Sequence, residues 1–160
     1  MIIRAAVPAD LPALAAMEAA CFPPEEAASQ QVLAGRLAVY PQHFWLLEEG
    51  GLPTSFINGP AANEPRICDE MYADASFHDE KGAWQMIFGV NTLPPYRKQG
   101  RAALLMERVI ADARAQGRRG CVLTCKAELL HYYEKFGYCS EGVSKSVHGG
   151  AVWYDMRLRF

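Results

Sequence analysis

A short segment near the middle of the chain places the strictest limits on the fold. The dense apolar run over residues 84–90 predicts a buried central strand, and Pro94-Pro95 ends it because proline has no backbone N–H. Residues 103–116 predict a strong helix, since apolar residues recur there at helical spacing and Gly117 follows as a common terminator. The chain therefore passes from a central strand through a turn into a helix, which favours an α/β fold.

The turn between this strand and this helix has the composition of an anion site. It reads Arg97-Lys98-Gln99-Gly100-Arg101-Ala102. Free backbone N–H groups and the positive dipole end lie at a helix N-terminus, and Gly100 with small neighbours lets a ligand approach them closely. Three basic side chains add positive charge. The alternative is a basic turn that only caps the helix, and neither a GxxxxGK[ST] nor a GxGxxG pattern is present.

The rest of the chain predicts a β-α-α-β-β-β-α-β-α-β-β order, which mixes hairpins with crossovers and favours a mixed sheet covered by helices. The predicted strands cover residues 2–7, 43–48, 54–58, 84–90, 121–125, 138–143 and 152–158, and the predicted helices cover 8–21, 27–39, 103–116 and 128–136. Residues 59–82 show little periodicity and predict a long connection, of the kind that is often functional.

Composition narrows the class of protein. A length of 160 residues fits one domain of about 150 residues. The net charge of −2 argues against a nucleic-acid partner, and no apolar run approaches the roughly 20 residues of a membrane span. Five cysteines without a CxxC pair disfavour a disulfide framework. Together with an N-terminus that lacks the pattern of a signal peptide, they predict a cytoplasmic protein.

Three motifs in order resemble the GNAT superfamily of N-acetyltransferases. The basic turn resembles that family's Q/R-x-x-G-x-G/A signature, residues 85–91 its fourth strand, and residues 130–138 its late FYxKxGF motif. The resemblance covers essentially the whole chain and implies a single domain over residues 1–160. The implied fold is α/β, with a mixed, largely antiparallel sheet of six to seven strands, about four helices, and a splay between strands four and five.

Within the superfamily the chain is most similar to the arylalkylamine (serotonin-type) N-acetyltransferases. The similarity lies in residues 122–125 and 133–138, and in the end of the strand near Asn58. The animal enzymes carry two histidines on the fourth strand that help to remove the amine proton. Met86 and Phe88 stand at the matching positions here, so the chain departs from that pattern.

The resemblance implies that the co-substrate is acetyl-CoA and that a primary amine attacks its thioester directly. Backbone groups of Val90, Asn91 and Thr92 would pair with the pantetheine arm in the splay. The pyrophosphate would lie on the turn and the helix start, at Arg97, Lys98, Gln99, Gly100, Arg101, Ala102 and Ala103. The implied partner is a small-molecule amine acceptor, and many relatives form homodimers.

Tyr133 is the predicted catalytic residue. A phenol with an ordinary pKa near 10 stays protonated at neutral pH and can donate a proton to the departing CoA thiolate. Tyr132 is its rival, but adjacent helical residues point about 100° apart, so only one of them can face the sulfur. A route through an acetylated Cys125 is disfavoured because a buried cysteine is usually inert.

The acceptor is expected to be cationic, because acids lie in the two segments that flank the site in this superfamily. The candidate acceptor residues are Phe22, Glu25, Glu26, Glu70 and His78. No pair of histidines has metal-ligand spacing such as HExxH, so no metal is expected. Two other functions stay open: acetylation of protein or peptide N-termini, and a module that binds acetyl-CoA without catalysis.

Overall fold

The computed structural model describes residues 1–160, which form nine strands and five helices. The strands are β1 (Ile2–Ala5), β2 (Phe44–Glu49), β3 (Leu52–Asn58), β4 (Ala61–Ala62), β5 (Trp84–Ile87), β6 (Gly89–Thr92), β7 (Gly120–Cys125), β8 (Cys139–Val143) and β9 (Tyr154–Arg159). The helices are α1 (Leu11–Cys21), α2 (Gln30–Val39), α3 (Glu70–Ala73), α4 (Arg101–Ala115) and α5 (Leu130–Glu134). None of the helices combines the length and apolar character that a membrane crossing requires.

The strands form two sheets that meet at the centre of the molecule. One is antiparallel with the order β1-β2-β3-β6, and the other has the order β4-β5-β7-β9-β8. Only the pair β5 and β7 is parallel. This arrangement confirms the expected mixed α/β fold.

Alternation along β2 shows that the first sheet is covered on both faces. Phe44 and Leu46 pack with α1 and α2, whereas Trp45 and Leu47 belong to the core that includes α4. Successive side chains of a strand point to opposite faces, so one strand contributes to both cores.

The predicted central strand over residues 84–90 is in fact two strands. β5 pairs in parallel with β7, from Trp84 beside Gly120 to Ile87 beside Leu123. After Phe88 the chain changes sheet, and β6 pairs with β3. The two sheets therefore separate beyond Ile87 and Leu123, which is the expected splay.

The predicted number of elements was too low. The connection over residues 59–82 contains the two-residue strand β4 and the one-turn helix α3, and the division of residues 84–92 adds another strand. These short elements lack the periodicity that marks longer ones, so the sequence pattern did not reveal them.

Candidate active site

The turn before α4 presents a row of free backbone donors. The first helical hydrogen bond runs from Leu104 N to Gly100 O at 3.0 Å, and the N–H groups from Lys98 to Ala103 have no acceptor within the chain. Gly100 has φ of +85°, a left-handed conformation that glycine adopts without strain. A Cβ at Gly100 would meet open space. The turn is therefore open to an anion from solvent.

The basic side chains of this turn do not all serve the same purpose. Arg101 donates two hydrogen bonds to the carboxylate of Glu49, with Nη2 at 2.9 Å from Oε1, and its guanidinium lies over the Tyr96 ring. Arg97 Nε donates to Thr92 O at 2.9 Å. Lys98 is exposed. The Arg101 side chain is thus neutralised within the fold, while its backbone N–H stays among the free donors.

The splay between the sheets forms a channel of about 210 Å³. β6 uses one edge to pair with β3, and its other edge faces β7 without pairing. Val90 lines the channel, whereas Asn91 is fully buried. Thr92 O accepts the bond from Arg97. The three residues expected beside the pantetheine arm therefore all lie on β6, at the splay.

Tyr133 lines this channel and Tyr132 does not. The Tyr133 side chain is buried against the core, and its hydroxyl forms no hydrogen bond within the chain. Burial raises the pKa of Tyr133 above its ordinary value, so the phenol holds its proton at neutral pH. Cys125 lines the same channel, and burial raises the pKa of its thiol to about 11, which opposes its use as a nucleophile.

A second cavity, of about 350 Å³, continues the channel. Five residues line both spaces: Phe22, Glu26, Phe88, Thr124 and Trp153. Its walls come from α1, α2 and the loop between them, from α3, from the junction of β5 and β6, from β7, and from the loop before β9. Tyr72 of α3 stacks on His148 with ring centroids 4.6 Å apart, and its hydroxyl lies 3.2 Å from the Thr124 hydroxyl. We call this space the acceptor cavity.

Only some of the predicted acceptor residues line the acceptor cavity. Phe22 and Glu26 do, but Glu26 forms an ion pair with Lys126 Nζ at 2.9 Å. Glu25, Glu70 and His78 lie outside its walls. Neighbours of two of them do line it, since Glu26 follows Glu25 and Asp69 precedes Glu70.

His78 belongs to a separate cluster with His43 and Glu80. Its Nδ1 accepts from Ala61 N at 3.1 Å, so Nε2 carries the proton and donates to Glu80 at 2.8 Å. The three side chains place ligand atoms within 4.8 Å of one another, as a cation site would. In the His78 ring, however, Nδ1 accepts from Ala61 N and Nε2 carries a proton, so neither nitrogen is free to bind a cation. The three side chains form a hydrogen-bonded network instead.

Four polar residues of the acceptor cavity were not predicted from the sequence. Arg36, Tyr72, Thr124 and His148 come from segments that are far apart in the chain. Arg36 offered one signal, because it lies beside Leu37 on the buried side of a predicted helix, where a charge is unusual. The other three gave no such signal.

Comparison with known proteins decides the family. Residues 11–138 match the model of the acetyltransferase (GNAT) family. The chain belongs to this family. Its members transfer acyl groups from CoA donors, so a free-amide turn beside a splayed sheet is the expected site for CoA.

Several solved structures share the GNAT fold with this chain. The GphF GNAT-like decarboxylase in complex with isobutyryl-CoA has a TM-score of 0.86 at 23% identity, with 99% of each chain covered. The loading GNATL domain of CurA from Lyngbya majuscula has a TM-score of 0.84 at 18% identity, covering 99% of this chain and 96% of that one. A ribosomal-protein-alanine N-acetyltransferase from Brucella melitensis has a TM-score of 0.75 at 17% identity over 100% of both chains. These similarities confirm the GNAT fold but do not support the predicted closeness to arylalkylamine N-acetyltransferases.

Proposed function

We propose that this GNAT protein transfers an acetyl group from acetyl-CoA to the primary amine of a small acceptor. The observation that carries the proposal is the continuity of the site. β6 borders the channel and leads along the chain to the free amides before α4, and the channel and the acceptor cavity share five wall residues. A thioester in the channel and an amine in the cavity would meet at Phe88 and Thr124.

The proposed reaction is a direct displacement. The neutral amine nitrogen attacks the thioester carbonyl carbon and the C–N bond forms. The nitrogen then releases one proton to solvent, and the C–S bond breaks with its electron pair on sulfur. Tyr133 donates its phenolic proton to that thiolate and regains a proton from solvent. Burial raises the pKa of Tyr133, so the phenol still carries its proton when the thiolate forms.

Incubation of the protein with acetyl-CoA and a mixed panel of amines and peptides tests the proposal. Release of free CoA thiol together with an acetylated small amine is the expected result. Preference for peptides would instead favour an N-terminal protein acetyltransferase. Tight binding of acetyl-CoA with no acetylated product would show a non-catalytic module.

Decarboxylation of a carboxylated acyl-CoA is a second candidate function. Its support is the hydroxyl pair of Tyr72 and Thr124 in the acceptor cavity, together with the GNAT-like decarboxylase among the relatives. In this reaction the bond between Cα and the carboxylate breaks, CO₂ leaves, and the electron pair moves to the thioester oxygen as an enolate that is then protonated at carbon. Two neutral hydroxyl donors can stabilise such an oxyanion, and burial raises the pKa of Tyr72 to about 12. Conversion of malonyl-CoA to acetyl-CoA without an amine would establish this activity.

A further inference from the structure

Arg36 brings a buried positive charge to the wall of the acceptor cavity. It extends from α2, is only 4% exposed, and its guanidinium lies 4.9 Å from the centre of the Phe88 ring. Its Nη1 donates to Asn58 Oδ1 at 3.0 Å and its Nη2 to Tyr72 O at 2.8 Å. Both acceptors are neutral, so the fold supplies hydrogen bonds to Arg36 without a carboxylate in contact.

The two acids Glu26 and Asp69 in the cavity wall form no salt bridge with Arg36. Glu26 pairs with Lys126, and Asp69 accepts from Ser146 Oγ and from Val147 N. Each of these two acids therefore has its own partner within the fold.

Glu18 is the remaining acid of the cavity wall, and it forms no ion pair with Arg36 within 4.0 Å. Its Oε2 accepts from Ala28 N at 2.9 Å, while its Oε1 has no partner. Burial raises the pKa of Glu18, which favours its neutral form. Arg36 thus has no carboxylate within salt-bridge distance, and the charge of Glu18 acts on it only from beyond 4.0 Å.

An uncompensated buried charge is costly, and a ligand of opposite charge removes that cost. A guanidinium with planar donors matches the geometry of a carboxylate. We infer that the acceptor cavity binds a substrate carboxylate against Arg36. This inference rests on the proposed function, because it names the chemistry of the molecule that reacts in this cavity.

The carboxylate has two sources that share this chemistry. It belongs either to the acceptor, as in an α-amino acid, or to the acyl chain of the CoA thioester. In the first case the amine and the carboxylate enter the cavity together. In the second case the carboxylate projects from the channel into the cavity.

Matched ligand pairs that differ only by a carboxylate test the inference. The acceptor arm compares alanine with ethylamine, and phenylalanine with 2-phenylethylamine, as acceptors from acetyl-CoA. The thioester arm compares malonyl-CoA with acetyl-CoA by calorimetry. The expected result is a preference of about tenfold or more for the carboxylated member in one arm, the size of one charge-assisted hydrogen bond. The arm that shows the preference identifies the source.

Two variants separate recognition of the carboxylate from a structural role of Arg36. Arg36→Met should abolish the preference, because it raises KM or Kd for the carboxylated ligand far more than for the matched ligand without a carboxylate. Arg36→Lys keeps a positive charge and should restore part of the preference. Thermal melting shows whether each variant folds. If neither variant folds, the preference of the wild-type protein alone decides whether the cavity binds a carboxylate.

The inference would be overturned if the wild-type protein showed no preference for the carboxylated ligand in either arm. A folded Arg36→Met variant that keeps the preference would overturn it as well. Failure of the proposed transferase function has a different pattern. No amine is then acetylated, while the thioester arm still reports whether the cavity selects a carboxylate.

Discussion

The turn before α4 and the acceptor cavity are assembled in opposite ways. The turn consists of consecutive residues from Lys98 to Ala103, whose donors are free because a helix begins there. The cavity takes its walls from three helices, from β7, from the junction of β5 and β6, and from two loops, which meet only in the folded chain. A local motif can therefore identify how the family binds CoA, but the acceptor depends on side chains that no motif contains.

Tyr133 lies in the channel between these two regions, and its loss should have the largest effect. Tyr133→Phe keeps the packing of the ring but removes the proton donor, so kcat should fall by about 10²- to 10⁴-fold. The Kd of acetyl-CoA should stay nearly constant, because the hydroxyl makes no hydrogen bond within the fold. Steady-state kinetics and calorimetry on the same preparation measure both quantities.

Tyr132→Phe is the matched control, since it removes one hydroxyl from the neighbouring residue, which does not line the channel. Its kcat should change little. A larger loss of kcat in Tyr132→Phe than in Tyr133→Phe would show that Tyr132 is the proton donor. If neither variant loses more than about threefold, far below the usual range for a proton donor, then water or substrate supplies the proton.

Gly100 tests whether the turn is the binding site for the CoA pyrophosphate. Gly100→Val forces a β-branched residue into a left-handed conformation and fills the open space before the free amides. The Kd of acetyl-CoA should rise at least tenfold, or about 1.4 kcal/mol. Calorimetry with acetyl-CoA gives the value.

Gly117→Val is the control for backbone strain. Gly117 has φ of +77° and open space around its Cβ position, but it follows the other end of α4. Gly117→Val should lower the melting temperature about as much as Gly100→Val does, and it should leave the affinity for acetyl-CoA unchanged. Equal affinities in the two variants would remove the turn from the CoA site.

The basic residues of the turn should differ in their contribution to binding. Lys98→Gln removes an exposed charge and should weaken acetyl-CoA binding by about two- to fivefold, less at high salt. Arg101→Gln removes the partner of Glu49 and should lower stability more than affinity. Titrations with acetyl-CoA at low and high salt compare the two variants. A larger salt-dependent loss of affinity in Arg101→Gln would show that Arg101, rather than Lys98, contributes its charge to binding.

The cluster of His43, His78 and Glu80 should influence stability without affecting either binding region. Burial lowers the pKa of His78, although the hydrogen bond that His78 donates to Glu80 opposes this shift. The folded protein therefore takes up this proton at lower pH than the unfolded chain, so stability falls as pH drops below about 6.5. Although burial opposes the shift, hydrogen bonds from His43 and His78 lower the pKa of Glu80. The ionised Glu80 carboxylate therefore also stabilises the fold, and this stabilisation is lost at still lower pH, when the carboxylate is protonated.

Chemical denaturation between pH 7 and pH 5 measures the share of His78. The free energy of unfolding should fall more steeply with acidification in the wild-type protein than in His78→Gln. The Kd of acetyl-CoA at neutral pH should be the same in both. Parallel slopes would show that His78 does not contribute to the pH dependence.

The sequence by itself determined the fold class, the long helices and the turn before α4. These features repeat at the period of a helix or strand, or they depend on adjacent residues such as Gly100 and its neighbours. They can be predicted because they involve residues that are close together in the sequence. It also singled out Tyr133, whose role as a proton donor remains a prediction.

Only the tertiary structure decided how residues 84–92 divide between two sheets and which polar groups meet in the acceptor cavity. The change of sheet after Phe88 depends on pairing with β3 and β7, which lie far away in the chain. The placement of Arg36 beside Asn58 and Tyr72 has the same cause. Contacts of this kind leave no period and no spacing in the sequence, because burial and partners are set when distant segments pack together.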